Sequence, residues 1–134
     1  MKLTVMLVAI LALIATAAVP AHADLWESSG HVSLLRVHDV GTGYGPASDY
    51  IDVEVIAWLD SKPGMAFGFQ LRDDSNRPAR QGMLDLLREA FAHDYIVTID
   101  YNITPGKNNG VITRVWITKP PANFHPVDKK LAGD

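Results

Sequence analysis

Residues 83–100 read MLDLLREAFAHDYIVTID, and the change of hydrophobic period inside them decides the fold. Up to His93 the apolar residues recur at helical spacing. Leu84, Leu87 and Phe91 fall at i, i+3 and i+7, flanked by Met83 and Ala90, with Asp85, Arg88 and Glu89 on the wet side. From Tyr95 the period drops to two: Tyr95, Val97, Ile99, Tyr101 and Ile103 share one face, Thr98, Asp100 and Asn102 the other. A helix over residues 79–93 therefore runs directly into a strand over residues 95–103. Pro78 suits the first helical turn, Gly82 weakens that turn, and His93 favours the negative pole of the helix dipole.

Three strands are expected ahead of the helix. Residues 30–40, GHVSLLRVHDV, alternate in one phase at Val32 and Leu34 and in the other at Leu35 and Val37, which predicts a bulge inside the strand. Residues 50–59, YIDVEVIAWL, place Ile51, Val53 and Val55 on one face and Asp52 and Glu54 on the other. Residues 65–71, MAFGFQL, put Phe67, Phe69 and Leu71 in phase, with Gly68 letting another backbone approach or the strand bend. One strand comes after the 95–103 strand: residues 111–118, VITRVWIT, with Val111, Val115 and Ile117 facing in and Ile112, Arg114 and Trp116 facing away. Ser61-Lys62-Pro63-Gly64 is a turn, and residues 41–49 and 104–110, rich in glycine and asparagine, are loops.

The fold class is therefore mainly β with one helix, in the order β-β-β-α-β-β. That is the order of an OB-fold, a five-stranded Greek-key barrel. A split βαβ arrangement would need a helix where residues 41–49 place three glycines and a proline.

The ends of the chain carry different information. Met1-Lys2 is a positive start, residues 3–18 are uncharged and apolar, and Ala21-His22-Ala23 reads as a small-residue cleavage site. Residues 1–23 are read as a secretory signal peptide, too short an apolar run to be a spanning helix. The expected organisation is a signal peptide over 1–23, one domain over 24–119 and a loosely attached tail over 120–134. The mature chain is expected to be exported, to the periplasm or beyond, with no membrane span. Its net charge moves from −3 to −4 when Lys2 is removed, which disfavours nonspecific contact with phosphate backbones. There is no cysteine, so thiol catalysis, thiolate metal sites and disulfide staples are excluded, and packing must hold the domain.

Residues 30–119 resemble the OB-fold of bacterial AB-type toxin B subunits and their small exported relatives. The resemblance is carried by the opening Gly30-His31-Val32, by MAFGFQLRDD from Met65 to Asp74, by the helix MLDLLREAFA from Met83 to Ala92, and by the strands 96–100 and 110–118 after it. It implies a ring-forming lectin whose helices line a central pore, whose edge strands pair between neighbours, and which binds cell-surface sugars. Two features depart from that pattern. Those subunits commonly carry a disulfide, and they often have glycine between the helix and the fourth strand, where this chain has His93-Asp94. A stand-alone periplasmic relative with no toxic partner is equally compatible.

OB-folds bind on the face of the second and third strands, between the first-second and fourth-fifth loops. Here those loops offer Tyr44, Ser48, Asp49 and Tyr50 on one side and Lys107, Asn108 and Asn109 on the other. Aromatic plates with amides and carboxylates suit the two faces of a sugar ring, so these seven are the candidate ligand-binding residues. Their plainer reading is turn chemistry, since Asn-Asn-Gly and Gly-x-Gly are ordinary turn sequences. Ile112 and Trp116, read as an exposed pair, are candidate interface residues, covered by another subunit or by the tail. Trp58 is read as partly buried packing.

No catalytic residue is nominated. The histidines His31, His38, His93 and His125 match no zinc spacing, and there is neither a phosphate-binding loop nor a nucleophile elbow, so no metal or cofactor is expected. The leading expectation is a non-catalytic carbohydrate-binding module, with a glycan and further copies of itself as partners. A periplasmic protein-interaction or structural role through sheet edges is the alternative. An oligonucleotide-binding role is opposed by charge and export.

Overall fold

The computed structural model describes residues 24–132, and the predicted signal peptide lies outside them. The chain forms β1 (Asp24–Gly30), β2 (Val32–Val37), β3 (Val55–Leu59), β4 (Phe67–Phe69), α1 (Arg77–His93), β5 (Ile96–Ile103), β6 (Gly110–Thr118) and β7 (Asp128–Lys130). The strands make one seven-stranded sheet in the order β2-β3-β4-β6-β5-β1-β7. All neighbours are antiparallel except β4 and β6. The fold is thus mainly β with a single helix. No helix among the described residues is long and apolar enough to cross a membrane.

Seven strands stand where five were expected, for two reasons. The first expected strand begins earlier, at Asp24, and is interrupted at His31, so that it counts as β1 and β2. The tail, expected to be loosely attached, contributes β7 on the outer edge of β1. Backbone bonds Ser29 N–H to Val127 O (2.9 Å) and Leu131 N–H to Leu25 O (2.8 Å) fasten it. Lys62–Asp128 at 2.7 Å and Lys130–Asp24 at 2.8 Å add ion pairs.

His31 fixes the shape of the sheet. β2 is its first strand and β1 its sixth, yet one residue joins them. Six flat strands at the usual spacing would hold these two about 24 Å apart. A one-residue link spans roughly 7 Å. The sheet must therefore coil. Its coiling is helped by a register shift between Val32 and Leu34; the alternation predicts a bulge in this strand after Leu34, and the structure places it just before that residue.

The main core gathers β3, β4, β5, β6 and α1 around the edge-to-face pair Phe67–Tyr101, centroids 4.7 Å apart. Tyr101 is fully buried and its hydroxyl meets Ser28 Oγ at 3.0 Å, so the phenol costs no unsatisfied polar group. A Cβ on Gly110 would stand 2.5 Å from the Tyr101 ring, and a Cβ on Gly68 2.6 Å from Val53 and from the Val55 carbonyl. Both positions need glycine for this close approach.

α1 buries Leu84, Leu87 and Ala90, whereas Phe91, expected inward, is 55 % exposed. From Leu87 both the third and the fourth residue onward could continue the stripe. Small Ala90 lets the last turn lie close to the sheet and turns Phe91 out. Ile112 corrects a second expectation. It is 4 % exposed and belongs to the core, so it is not an interface residue paired with Trp116. The register shifts between Asp100 and Tyr101, leaving Thr113 as an extra residue, and the phase of β6 inverts there. Trp116, opposite Thr98, stays half-buried on the outer face.

Glu54, expected on a wet face, is 1 % exposed. The chain bends at this residue, ahead of β3, and turns its carboxylate inward. The carboxylate accepts from Arg72 Nε (3.0 Å) and Nη2 (2.8 Å), and from the N–H groups of Leu71 (2.9 Å) and Gly41 (3.3 Å). Arg72 Nη2 also reaches Asp52 Oδ1 at 2.6 Å. Burial alone would raise the Glu54 carboxyl, but the bonds from Arg72, Leu71 and Gly41 outweigh it and hold the group below its ordinary 4.5. Asp100 is the opposite case. It sits in a row across four strands, Lys129–Glu27–Asp100–Arg114, with Oδ2 3.4 Å from Arg114 Nε. Its buried Oδ1 has no hydrogen-bond partner among the described residues. Burial pushes this carboxyl up from 3.8, Glu27 adds to the rise, and Arg114 and Lys129 oppose it.

The two carboxyls should make stability depend on pH in opposite directions. A carboxyl lowered by folding contributes stability above its unfolded value, lost as pH falls through the folded one. Glu54→Gln is therefore expected to cost ~3 kcal/mol at neutral pH, because it breaks a buried pair. The deficit should shrink below pH 4.5, as urea melts at neutral and acid pH will measure. A carboxyl raised by folding contributes stability below its unfolded value, lost as pH rises through the folded one. Asp100→Asn should therefore be at least as stable as the wild type at neutral pH and lose that advantage below pH 3.8 in the same melts.

Candidate functional site

A second, smaller apolar cluster forms the floor of the site. Ile51, Val53, Ile56 and Ala66 are buried together, with Tyr44 and Val111 packed against them. Tyr44 is held there by a backbone bridge to Ile51, with both N–H···O bonds formed at 2.9 and 2.8 Å. The Arg36 guanidinium lies over its ring, 5.3 Å from the centroid. This cluster explains why a loop with three glycines is ordered. Gly43 lies at φ 62°, and any Cβ there would collide with the Tyr50 ring.

Asp49 joins the two candidate loops. Its Oδ1 accepts from the N–H groups of Asn108 (2.7 Å) and Asn109 (2.8 Å), and its backbone carbonyl accepts from Asn109 Nδ2 (2.9 Å). Asn109 Oδ1 in turn accepts the Ala66 N–H at 3.0 Å. Lys107 Nζ donates to the Tyr50 carbonyl, and Asn108 Nδ2 to the Gly64 carbonyl at 3.1 Å. Loops far apart in the sequence thus close into one polar clamp.

Beside the clamp opens a cleft of about 350 Å³. Tyr44, Asp49 and Asn109 line it, as do Pro46, Trp58 and Met65. Trp58 projects from β3 opposite to Ala57 and Leu59 and is 40 % exposed, which leaves much of the indole open to a ligand. Asp49 lines the cleft, and its Oδ2 makes no hydrogen bond among the described residues, which leaves that oxygen an unengaged acceptor.

The seven candidate residues therefore divide. Tyr44 and Asp49 reach the cleft with chemistry to offer. Asn109 lines it but is buried, and its amide oxygen and nitrogen each make one hydrogen bond within the clamp. Tyr50 and Lys107 brace the loops, the Tyr50 ring against Gly43 and the Lys107 ammonium on the Tyr50 carbonyl. Ser48 and Asn108 are exposed nearby. Trp58, read from sequence as packing, is the residue missed. Its signal was present: an aromatic in the polar phase of a strand whose other phase is wholly apolar. Among the described residues no group of three histidines, aspartates or glutamates is arranged to hold a metal ion.

Comparison with protein-family models, curated proteins and solved structures finds no match to this chain.

The clamp is testable through Asn109. Asn109→Ala leaves the buried Ala66 N–H without its acceptor and is expected to cost ~2 kcal/mol. The midpoint of a urea melt will register the loss, and the protection of the Ala66 amide in hydrogen exchange should fall with it.

Proposed function

We propose that the mature chain is an exported, non-catalytic binding module of the OB type that takes a neutral carbohydrate in the Trp58 cleft. The barrel reading rests on the strand order. With β1 and β2 taken as the two halves of one strand bent at His31, β2-β3-β4-β6-β5-β1 becomes the cyclic order 1-2-3-5-4-1 of a five-stranded Greek-key barrel. The helix then falls between the third and fourth strands, and β7 is an addition to the edge. The cleft lies where such barrels bind, against the second strand and between the first-second and fourth-fifth loops.

One observation carries the ligand class: Trp58, 40 % exposed, lines the same cleft as Asp49, whose carboxylate keeps one oxygen unengaged. The indole offers a flat apolar plate for the C–H face of a pyranose ring, and the carboxylate accepts from ring hydroxyls. The carboxylate also repels anions, which favours a neutral sugar over a nucleotide, as does the net charge of the mature chain. Export rests on the composition of residues 1–23.

The mature protein on a glycan array, followed by calorimetry on the glycans retained, is the test. Binding to at least one neutral glycan class is expected, weakened at least tenfold in Trp58→Ala while the melting temperature changes little. Glycan binding that survives the loss of this indole, or its absence across the array, overturns the reading.

A further inference from the structure

Trp58 lines two hollows. The second, of about 210 Å³, is also lined by Ser33, Asp60, Lys62 and Pro63. Trp58, Gly64 and Met65 line both hollows. Sites for small organic ligands usually measure roughly 300–1,000 Å³. The first cleft is at the bottom of that range and the second below it, so each has room for about one ring. The rim between them is low. Gly64 carries no side chain there, and a Cβ at that position would meet nothing within 4 Å. The space above this shared lining residue is therefore open.

The two hollows present matching chemistry. In the first, Asp49 Oδ2 is the unengaged acceptor. In the second, Asp60 and Lys62 stand at the edge. Asp60 Oδ1 accepts the His31 N–H at 2.8 Å and Oδ2 meets His31 Nδ1 at 3.1 Å, which fixes the carboxylate and leaves each oxygen a further lone pair. Lys62 Nζ gives one hydrogen to Asp128 at 2.7 Å and has two left. An acceptor beside a donor suits a pair of neighbouring hydroxyls. Apolar Trp58, Met65 and Pro63 lie between these polar ends, as the faces of consecutive sugar rings require.

We infer that Trp58 divides the site into two subsites, and that the ligand is a linear segment of at least two neutral pyranose rings crossing Gly64, with Asp49 at one end and Asp60 and Lys62 at the other. This rests on the carbohydrate reading of the first cleft and narrows it from a single terminal sugar to a chain.

Calorimetry of the mature protein with matched pairs tests it: glucose against cellobiose and maltose, N-acetylglucosamine against chitobiose, mannose against mannobiose. In the series that binds, the disaccharide is expected to bind at least tenfold tighter than its monosaccharide. Ser33→Ile, which fills the second hollow from an exposed strand position, should bring the disaccharide down to the monosaccharide affinity. Gly64→Asn raises a side chain on the rim at a positive φ that asparagine tolerates, and should remove the same gain if the first variant folds poorly. Equal affinities within a pair, with Trp58→Ala abolishing both, would mean a one-ring site and overturn this inference alone. No binding in any series overturns the carbohydrate reading and the inference with it.

Discussion

The molecule depends on one covalent constraint: a single residue, His31, joins strands that stand first and sixth in the sheet. Backbone continuity through that joint obliges the sheet to coil, and the coil brings loops from distant parts of the chain to one end. The joint is pinned from several sides. Asp60 binds the His31 backbone and ring, the Asp60 N–H returns a bond to the His31 carbonyl at 3.0 Å, and Phe124 of the tail stacks edge-on against the imidazole. Gly30, just before it, leaves no room for a side chain beside Asp60 and Ser61. Sequence, local geometry and topology meet at these two residues.

Without cysteine, the domain closes its irregular segments with buried polar anchors. Glu54 ties the loop at Gly41 to the segment at Leu71 and Arg72, and Asp49 with Asn109 ties the loop at 41–49 to β6 and Ala66. Both anchors bind backbone N–H groups of the segments they join, and the buried Ala66 N–H would be left unpaired without Asn109, a cost that exceeds the net gain of an ordinary hydrogen bond. They also leave the nearby surface free. Trp58, beside these anchored loops, stays 40 % exposed.

The regular elements were legible in sequence because their periods are long and clean. The helix ending near His93 and the strand at Tyr95–Ile103 are readable from alternation alone, and so is the presence of a bulge in the strand after His31, though the structure sets it between Val32 and Leu34, ahead of the expected slip. The failures share one cause, a local change of phase. An extra residue at Thr113 turns Ile112 inward, a bend before β3 turns Glu54 inward, and the choice between Ala90 and Phe91 was settled by how closely α1 approaches the sheet. Composition is blind to single-residue shifts, and each shift inverts the faces of the residues beyond it. The two candidate loops do lie side by side, but sequence does not reveal that Asp49 and Asn109 bond each other's segments across them.

The sequence by itself determined the order of the elements from β2 to β6, the position of the single helix, the two loops between strands and the absence of covalent staples, since these depend on local periodicity, turn chemistry and residue inventory. Only the tertiary structure decided that the tail is a strand, that Glu54 and Asp100 are buried, that Ile112 is core, and that Trp58 joins Tyr44, Asp49 and Asn109 around one cleft. The physical reason is that burial and hydrogen-bond satisfaction are properties of contacts between distant residues. They come into existence only when the joint at His31 folds the sheet back on itself.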